Sequence, residues 1–271
     1  MTTFYEWQEA PKAEFAVIGD PIAHSWSPQM HHAAYLDLHL PYRYHAIRVP
    51  LSEFNEALSH LRKLGYIGVN VTTPLKEAAY HWAKEIEPHS KKYKALNTLN
   101  LQKRAGTNTD APGFIQTLKN LNLAPSSNVL LLGAGGSAQA LARALTDEGF
   151  QLFIFNRTYE HAKQMLHELQ IKATLLAKPV LDDIYMVINA TTTSLGQSTL
   201  LLPWDKAPKS CVAYDLMYSK KPTPFLKSAA QTGKRTYDGK QLLVEQGALS
   251  FEWWLHLKAP KGTMFDSIQD D

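Results

Sequence analysis

The chain has 271 residues, 45% hydrophobic and 20% charged, which is enough apolar surface for one or two domains and excludes disordered, collagen-like and low-complexity classes. Lys plus Arg is 28 and Asp plus Glu is 25, a net charge of +3 with no dense basic run, so no nucleic-acid partner is expected. The single cysteine, Cys211, excludes an intrachain disulfide and a cysteine zinc site and fits a reducing cytoplasm; MTTFYEWQEAPKAEF is acidic without an apolar h-region, and no stretch approaches the roughly 18 apolar residues of a membrane helix, so neither signal peptide nor membrane association is expected.

Strand-like and helix-like segments alternate, which predicts an α/β protein with parallel sheets. FAVIG (15–19) reads as a buried strand and GDPIAHSWSP as a loop. Met30 to Leu40 has helical spacing, Tyr42 to Val49 is strand-like, and Leu51, Phe54, Leu58 and Leu61 form a helical stripe. Tyr66 to Val71 is another strand, after which Thr73 and Pro74 read as the cap and first residue of a helix. Asp110-Ala111-Pro112 starts a helix running to about Leu121. Strand Val129–Leu132, a glycine-rich turn, helix Ser137–Glu148 and strand Leu152–Phe155 make the βαβ half of a dinucleotide fold. Further strands are expected at Tyr185–Asn189 and Val212–Leu216, and a Trp-rich helix at Leu242 to Leu257. The expected organisation is a substrate-binding α/β domain over 1–110, a Rossmann-type domain over 111–239, and a C-terminal helix in 240–271 that packs back on the first domain.

The turn Gly133-Ala134-Gly135-Gly136-Ser137-Ala138 fits G-x-G-x-x-A. Gly133 makes the tight turn, Gly135 admits a pyrophosphate, and Ala138 lets helix and strand approach. Free N–H groups of the following helix face the phosphates. At the end of the second strand an NAD site would carry Asp or Glu; this chain has Asn156-Arg157-Thr158. Arg157 attracts a 2′-phosphate and the flanking side chains can donate to it, so NADP(H) is predicted. An exposed Arg beside a helix cap at Thr158 is the competing reading.

Ser25 and Ser27 are two apart, so in an extended segment both hydroxyls share a face and suit a carboxylate or polyol ligand. Ser27 before Pro28 also reads as a helix cap. Lys76 falls in the first turn of its helix, where a cation opposes the dipole and its pKa should move down from about 10.4. A lysine placed against that local rule is a plausible proton donor to a carbonyl; an exposed surface lysine is the alternative. Asn97-Thr98 and Asn108-Thr109-Asp110 are polar patches at element ends, also readable as turns and caps. The eleven histidines show no metal spacing, and no metal is expected. Phe251, Trp253, Trp254 and Leu255 read as core packing before dimer contact, leaving monomer and homodimer both open.

Taken together, GDPIAHSWSP (19–28), NVTTPLKE (70–77), Ala95-Leu96-Asn97-Thr98, Asn108-Thr109-Asp110, the glycine turn, Asn156-Arg157-Thr158, Asn189-Ala190-Thr191, Tyr214-Asp215-Leu216-Met217-Tyr218, Asp238-Gly239 and Leu243-Val244-Glu245-Gln246 resemble the shikimate dehydrogenase family, in family order from about Phe15 to Gln246. The resemblance implies reversible NADPH-dependent reduction of 3-dehydroshikimate to shikimate, in a cleft between the domains; a quinate/shikimate dehydrogenase of related specificity and a non-catalytic NADP-binding sensor on the same fold are the competing readings. It implies that Ser25 and Ser27 hold the substrate carboxylate with Tyr218 nearby. Thr72, Asn97 and Gln246 would bind hydroxyls, and Lys76 with Asp110 would form the catalytic pair. Thr191, Met217 and the Asp238-Gly239 turn would line the cofactor side. Gln241 and Ser194 stand where the family commonly has glycine, both on the cofactor side.

Overall fold

A computed structural model describes residues 4–119, 126–191 and 201–269. Two units divide the chain: residues 1–113 with 243–271, and residues 114–242. Ser194 and the end of the predicted 110–121 helix lie outside the described residues.

The first unit contains β1 (Phe4–Glu6), β2 (Phe15–Gly19), α1 (Ser27–Asp37), β3 (Tyr44–Arg48), α2 (Phe54–Lys63), β4 (Gly68–Val71), α3 (Lys76–Trp82), β5 (Glu85–Ile86), β6 (Thr98–Asn100) and β7 (Ala105–Thr107). These strands form a seven-stranded sheet in the order β1-β3-β2-β4-β6-β7-β5. β2 is buried along its whole length, as a central strand covered on both faces must be. Ala16, Ile18, Ile47, Val69 and Val71 pack with Leu58 and Leu61 of α2. Phe15 stacks on Trp254 (ring centroids 4.9 Å apart), and Tyr35 of α1 on Phe251 (5.8 Å). Burying these rings contributes apolar area and aromatic contact together.

The otherwise parallel first sheet contains one reversed strand. β4 pairs antiparallel with β6, and β6 antiparallel with β7. Only four residues join β6 to β7, too short for a parallel crossover, so the connection is a hairpin. The reversal places the start of β6 and the end of β7 beside the C-terminal end of β4, through the pairs Asn70↔Thr98 and Thr98↔Thr107.

α4 (Asp110–Leu118) leads into the second unit, and the division between units falls within it. There β8 (Asn128–Leu132), α5 (Gly136–Asp147), β9 (Gln151–Phe155), α6 (Tyr159–Leu169), β10 (Thr174–Leu175), β11 (Met186–Asn189), β12 (Val212–Asp215), α7 (Pro224–Ala230) and β13 (Arg235–Tyr237) build a six-stranded sheet. Its order, β10-β9-β8-β11-β12-β13, is the doubly wound dinucleotide pattern, and every pairing is parallel. β11 and β12 are buried throughout, covered by apolar side chains on either side such as Ile188 and Val212, or Val187 and Ala213. α8 (Lys240–Leu255) begins in the second unit and continues in the first, where α9 (Lys261–Asp266) also lies. Trp254 donates from Nε1 to the Leu99 carbonyl (3.1 Å), and Lys261 pairs with Glu245 (2.6 Å). No helix is long and apolar enough to cross a membrane among the described residues.

Two predicted caps are absent. Ser27 is the first residue of α1, Trp26 holds the cap position, and Ser25 Oγ accepts from the Ser27 N–H at 3.3 Å. Thr73 and Pro74 sit in a turn closed by the Leu75 N–H on the Thr72 carbonyl (2.9 Å), which delays α3 until Lys76. A residue committed to such a turn is no longer free to cap the helix behind it.

His31 is fully buried on α1 and lies flat on Tyr44, with centroids 4.3 Å and planes 7° apart. Neither ring nitrogen has a hydrogen-bond partner among the described residues. Burial, and secondarily His32, holds its pKa down at about 3 against an ordinary 6.5. The unfolded chain binds a proton there between pH 6.5 and 3 while the folded protein does not. Stability is therefore full above about pH 6.5 and declines as pH falls below it. His32 and His45 are lowered in the same sense, mainly by burial. Urea unfolding at about pH 7.5 and about pH 5 should show a lower midpoint at the lower pH, and His31→Phe should make this pH slope shallower. An unchanged slope in the variant would exclude His31 as a source of the acid sensitivity.

Candidate active site

Ser25, Ser27 and Thr72, expected on the substrate side, lie in the segments after the C-terminal ends of β2 and β4. These strands are parallel neighbours, so the loops that follow them emerge at one edge. Asp20 donates its N–H to the Thr73 carbonyl (3.0 Å), and Thr72 donates its N–H to the Ile18 carbonyl (2.9 Å), tying the Ser25 loop to the Thr72 turn. Ser25 and Ser27 are buried and Thr72 is half-buried. Lys76 opens α3, Asn97 immediately precedes β6, Asp110 opens α4, and Gln246 lies on α8.

The hairpin reversal brings these last residues together. Lys76 Nζ lies 2.7 Å from Asp110 Oδ2, with the two side chains only 9% and 13% exposed. Lys76 is thus a buried partner in an ion pair, and the surface-lysine reading fails. Asn97 Nδ2 donates to Asp110 Oδ1 (2.9 Å), to Thr109 Oγ1 (2.8 Å) and more distantly to Gln246 Oε1 (3.2 Å). Its Oδ1 accepts the Thr109 N–H at 2.7 Å, and a backbone N–H can only donate, so the amide orientation is determined. Asn108 Oδ1 accepts from the Ala111 N–H (3.0 Å) in the first turn of α4, which Asp110 opens. Both Asp110 oxygens are therefore directed: one to an ammonium, one to an amide.

Behind this pair lies a buried polar cluster that sequence reading did not assign. Asn70 accepts from the Tyr44 hydroxyl (2.7 Å) and donates to the Asn97 carbonyl (3.1 Å), Thr98 Oγ1 (3.1 Å) and Ser250 Oγ (2.9 Å). Ser250 Oγ is also 3.1 Å from Thr109 Oγ1. The only signal in the sequence is polar residues inside otherwise apolar elements, such as Asn70 in the run GVNV. Sequence spacing cannot say that such residues meet.

The nucleotide-side residues lie in the second unit. Gly133, at φ +113, follows β8, and its N–H donates to the Phe155 carbonyl (2.9 Å). A Cβ there would fall 3.2 Å from both the Ala190 carbonyl and the Thr191 methyl, so a side chain would crowd the switch point between β8 and β11. Gly135 holds the cap position of α5, and a Cβ built on it meets nothing within 4 Å, leaving open space above the first turn. Gly136 and Ser137 provide that turn, Ala134 is partly buried against the core, and Ala138 is fully buried against the sheet. These residues fit a pyrophosphate on the helix N-terminus. Asn156, Arg157 and Thr158 follow β9, with no carboxylate among them. Arg157 is exposed and forms no ion pair among the described residues, while Asn156 Nδ2 donates to the Thr158 carbonyl (2.8 Å). Thr158 holds the cap position of α6 without a side-chain cap bond. The donor set at this strand end suits a phosphate on the 2′ position.

Thr191, Met217, Tyr218 and Gly239 also lie in the second unit. Thr191 donates to Asn189 Oδ1 through both N–H (3.1 Å) and Oγ1 (2.7 Å). Met217 and Tyr218 follow β12 and are half-buried. Gly239 donates its N–H to the Met217 carbonyl (3.1 Å). Gln241 is half-buried in the first turn of α8. Cys211 is buried, and burial pushes its thiol up to about 11, which leaves it unreactive. No cluster of metal-binding side chains occurs among the described residues.

Comparison with known proteins gives a concordant picture. A family model described as "Shikimate dehydrogenase substrate binding domain" matches residues 17–99, and one described as "Shikimate / quinate 5-dehydrogenase" matches residues 116–202. The shikimate dehydrogenase (NADP(+)) of Prochlorococcus marinus subsp. pastoris is 34% identical over 94% of this chain and 96% of its own. The crystal structure of shikimate dehydrogenase from Aquifex aeolicus superposes with a TM-score of 0.88 at 30% identity, covering 96% of this chain and 98% of that one. The shikimate 5-dehydrogenase of Thermus thermophilus, in complex with NADP(H) and shikimate, gives 0.84 at 33% identity, covering 94% and 98%.

Gly239 tests the closeness of this packing. A Cβ there would lie 2.1 Å from the Leu216 carbonyl oxygen and 2.7 Å from its carbon, both backbone atoms that cannot swing aside. Gly239→Ala should cost on the order of 2 kcal/mol or more through backbone displacement. Thermal denaturation would register this as a Tm several degrees lower, and an unchanged Tm would show that the approach is looser.

Proposed function

The chain belongs to the shikimate dehydrogenase family, and from that premise we infer that it is an NADP-dependent oxidoreductase catalysing the reversible reduction of 3-dehydroshikimate to shikimate. The observation that carries the reading is the 2.7 Å Lys76–Asp110 pair, with the second Asp110 oxygen held by Asn97.

The first unit is the substrate-binding part. Ser25 and Ser27 provide hydroxyls for the substrate carboxylate. Thr72, Asn97 and Gln246 hold the ring hydroxyls. In the reductive direction Lys76 donates a proton from Nζ to the carbonyl oxygen as negative charge develops there. Asp110 keeps Nζ directed before transfer. In the oxidative direction Lys76 accepts the hydroxyl proton. NADPH, when bound, supplies the hydride to the carbonyl carbon.

The second unit is the cofactor-binding part. Gly133, Ala134, Gly135, Gly136, Ser137 and Ala138 form the pyrophosphate turn. Asn156, Arg157 and Thr158 take the 2′-phosphate. Thr191, Met217 and Gly239 border the nicotinamide. The single, buried Cys211 supports a cytoplasmic location.

An absorbance assay at the nicotinamide band, run with shikimate or quinate and with NADP+ or NAD+, tests the whole reading. The expected result is efficient turnover of shikimate with NADP+, and absence of shikimate-dependent NADP+ reduction would refute it. Lys76→Ala should lower kcat by at least about 10²-fold with a much smaller change in shikimate binding. Near-normal turnover in that variant would remove Lys76 from the proton-transfer step. Arg157→Ala should raise KM for NADP+ about tenfold while leaving NAD+ kinetics unaltered. An unchanged NADP+/NAD+ ratio would show that Arg157 does not read the 2′-phosphate.

A further inference from the structure

Asp215, at the end of β12, is fully buried, yet the proton-transfer chemistry makes no use of it. Its Oδ1 accepts from Asn189 Nδ2 (3.1 Å) on the neighbouring strand and from the Met217 N–H (3.1 Å). Its Oδ2 accepts from Thr223 Oγ1 (2.6 Å), and Thr223 caps α7 by accepting the Leu226 N–H (3.3 Å). Asn189 lies opposite Asp215 in the β11–β12 register, and its own Oδ1 takes the N–H and hydroxyl of Thr191. Met217 is gripped from its other side as well, since its carbonyl accepts the Gly239 N–H (3.1 Å).

We propose that Asp215 is a positioning residue for the nicotinamide end of the cofactor site, fixing Met217 directly and Thr191 through Asn189. The proposal rests on the cofactor reading above and extends it to a residue that touches no ligand. The partners determine why the group is a carboxylate. The Asn189 amide nitrogen, the Met217 N–H and the Thr223 hydroxyl all act as donors toward it, and a carboxylate accepts all three without the Thr223 hydroxyl having to reorient. A buried carboxylate held by such donors has little freedom, because each bond lost leaves buried polar groups unsatisfied. Met217 and Thr191 follow different strands, so local turn chemistry alone cannot hold both. Asp215 and Asn189 link the two strand ends from beneath.

Asparagine at this position would retain part of the function. With its oxygen toward Asn189 and Met217, its amide nitrogen faces Thr223, whose hydroxyl can rotate to accept. Alanine removes every acceptor. Asp215→Ala should therefore weaken NADP+ binding, measured by titration calorimetry, by about tenfold or more. KM for NADP+ should rise in parallel while KM for shikimate stays within about threefold. Asp215→Asn should restore NADP+ affinity to within about threefold of wild type. Hydrogen exchange should show the Met217 amide protected in the wild type and in Asp215→Asn, and exposed in Asp215→Ala. Should Asp215→Ala fail to fold, Thr223→Val, which keeps the side-chain shape, should show the same selective loss of NADP+ affinity in smaller degree.

A folded Asp215→Ala protein with unchanged NADP+ affinity, or with Met217 still protected, would overturn the proposal. So would an Asp215→Asn protein as impaired as Asp215→Ala, since charge rather than positioning would then be responsible. If Asp215→Ala does not fold, unaltered NADP+ affinity in Thr223→Val overturns it. A wild-type protein that binds no NADP+ would instead refute the cofactor reading itself, and the exchange data would still judge the Met217 contact separately.

Discussion

The substrate side is organised around a buried ammonium–carboxylate pair. Removing Lys76 and Asp110 from water costs each ion its hydration, and Coulomb attraction between two buried charges recovers that cost only when the remaining polar capacity is also used. Here it is used: Asp110 Oδ1 takes the Asn97 amide while Oδ2 takes the lysine. Asn97 is oriented by the Thr109 backbone, and the hydroxyls of Thr98, Thr109 and Ser250 surround it with Asn70 behind them. The pair is directed before any ligand arrives, as proton transfer along one line requires.

That arrangement depends on the direction of a short strand. In an all-parallel sheet the start of β6 would lie at the far edge from the end of β4. The β6–β7 hairpin reverses it, so Asn97 before β6 and Thr109 and Asp110 after β7 reach the edge where the β4 turn delivers Lys76. The second unit needs no such reversal. Its strands all run one way, and its glycine turn and Thr191 meet at the switch point between β8 and β11, where doubly wound sheets ordinarily bind ligands.

Both units share a second device. Polar side chains occur near the C-terminal ends of buried strands, as Asn70 in GVNV, Asn189 in MVIN and Asp215 in VAYD. An apolar residue there would satisfy burial equally well, but it could not orient the loop that follows. Each polar group hydrogen-bonds to a neighbouring strand or loop, converting a strand end into a defined platform. The stability cost of burying such groups is offset only because their bonds are made.

What the sequence determined by itself was local. The buried strand Phe15–Gly19, the β8–α5–β9 unit and the Trp-rich helix were legible because hydrophobic period and glycine chemistry act within a few residues. The ordered motifs also carried the family, and the lack of a carboxylate at residues 156–158 was readable as a preference for NADP(H). The caps at Ser27 and Thr73 were misread because a turn and a helix start use the same residue types, and only the path of the chain decides between them. The family motifs implied the Lys76–Asp110 pair, but tertiary structure alone decided its 2.7 Å contact across 34 positions, that β6 runs backwards, and that Asp215 ties Asn189 to Met217. Those contacts join segments distant along the chain, and no periodicity or spacing encodes the direction in which distant segments pair.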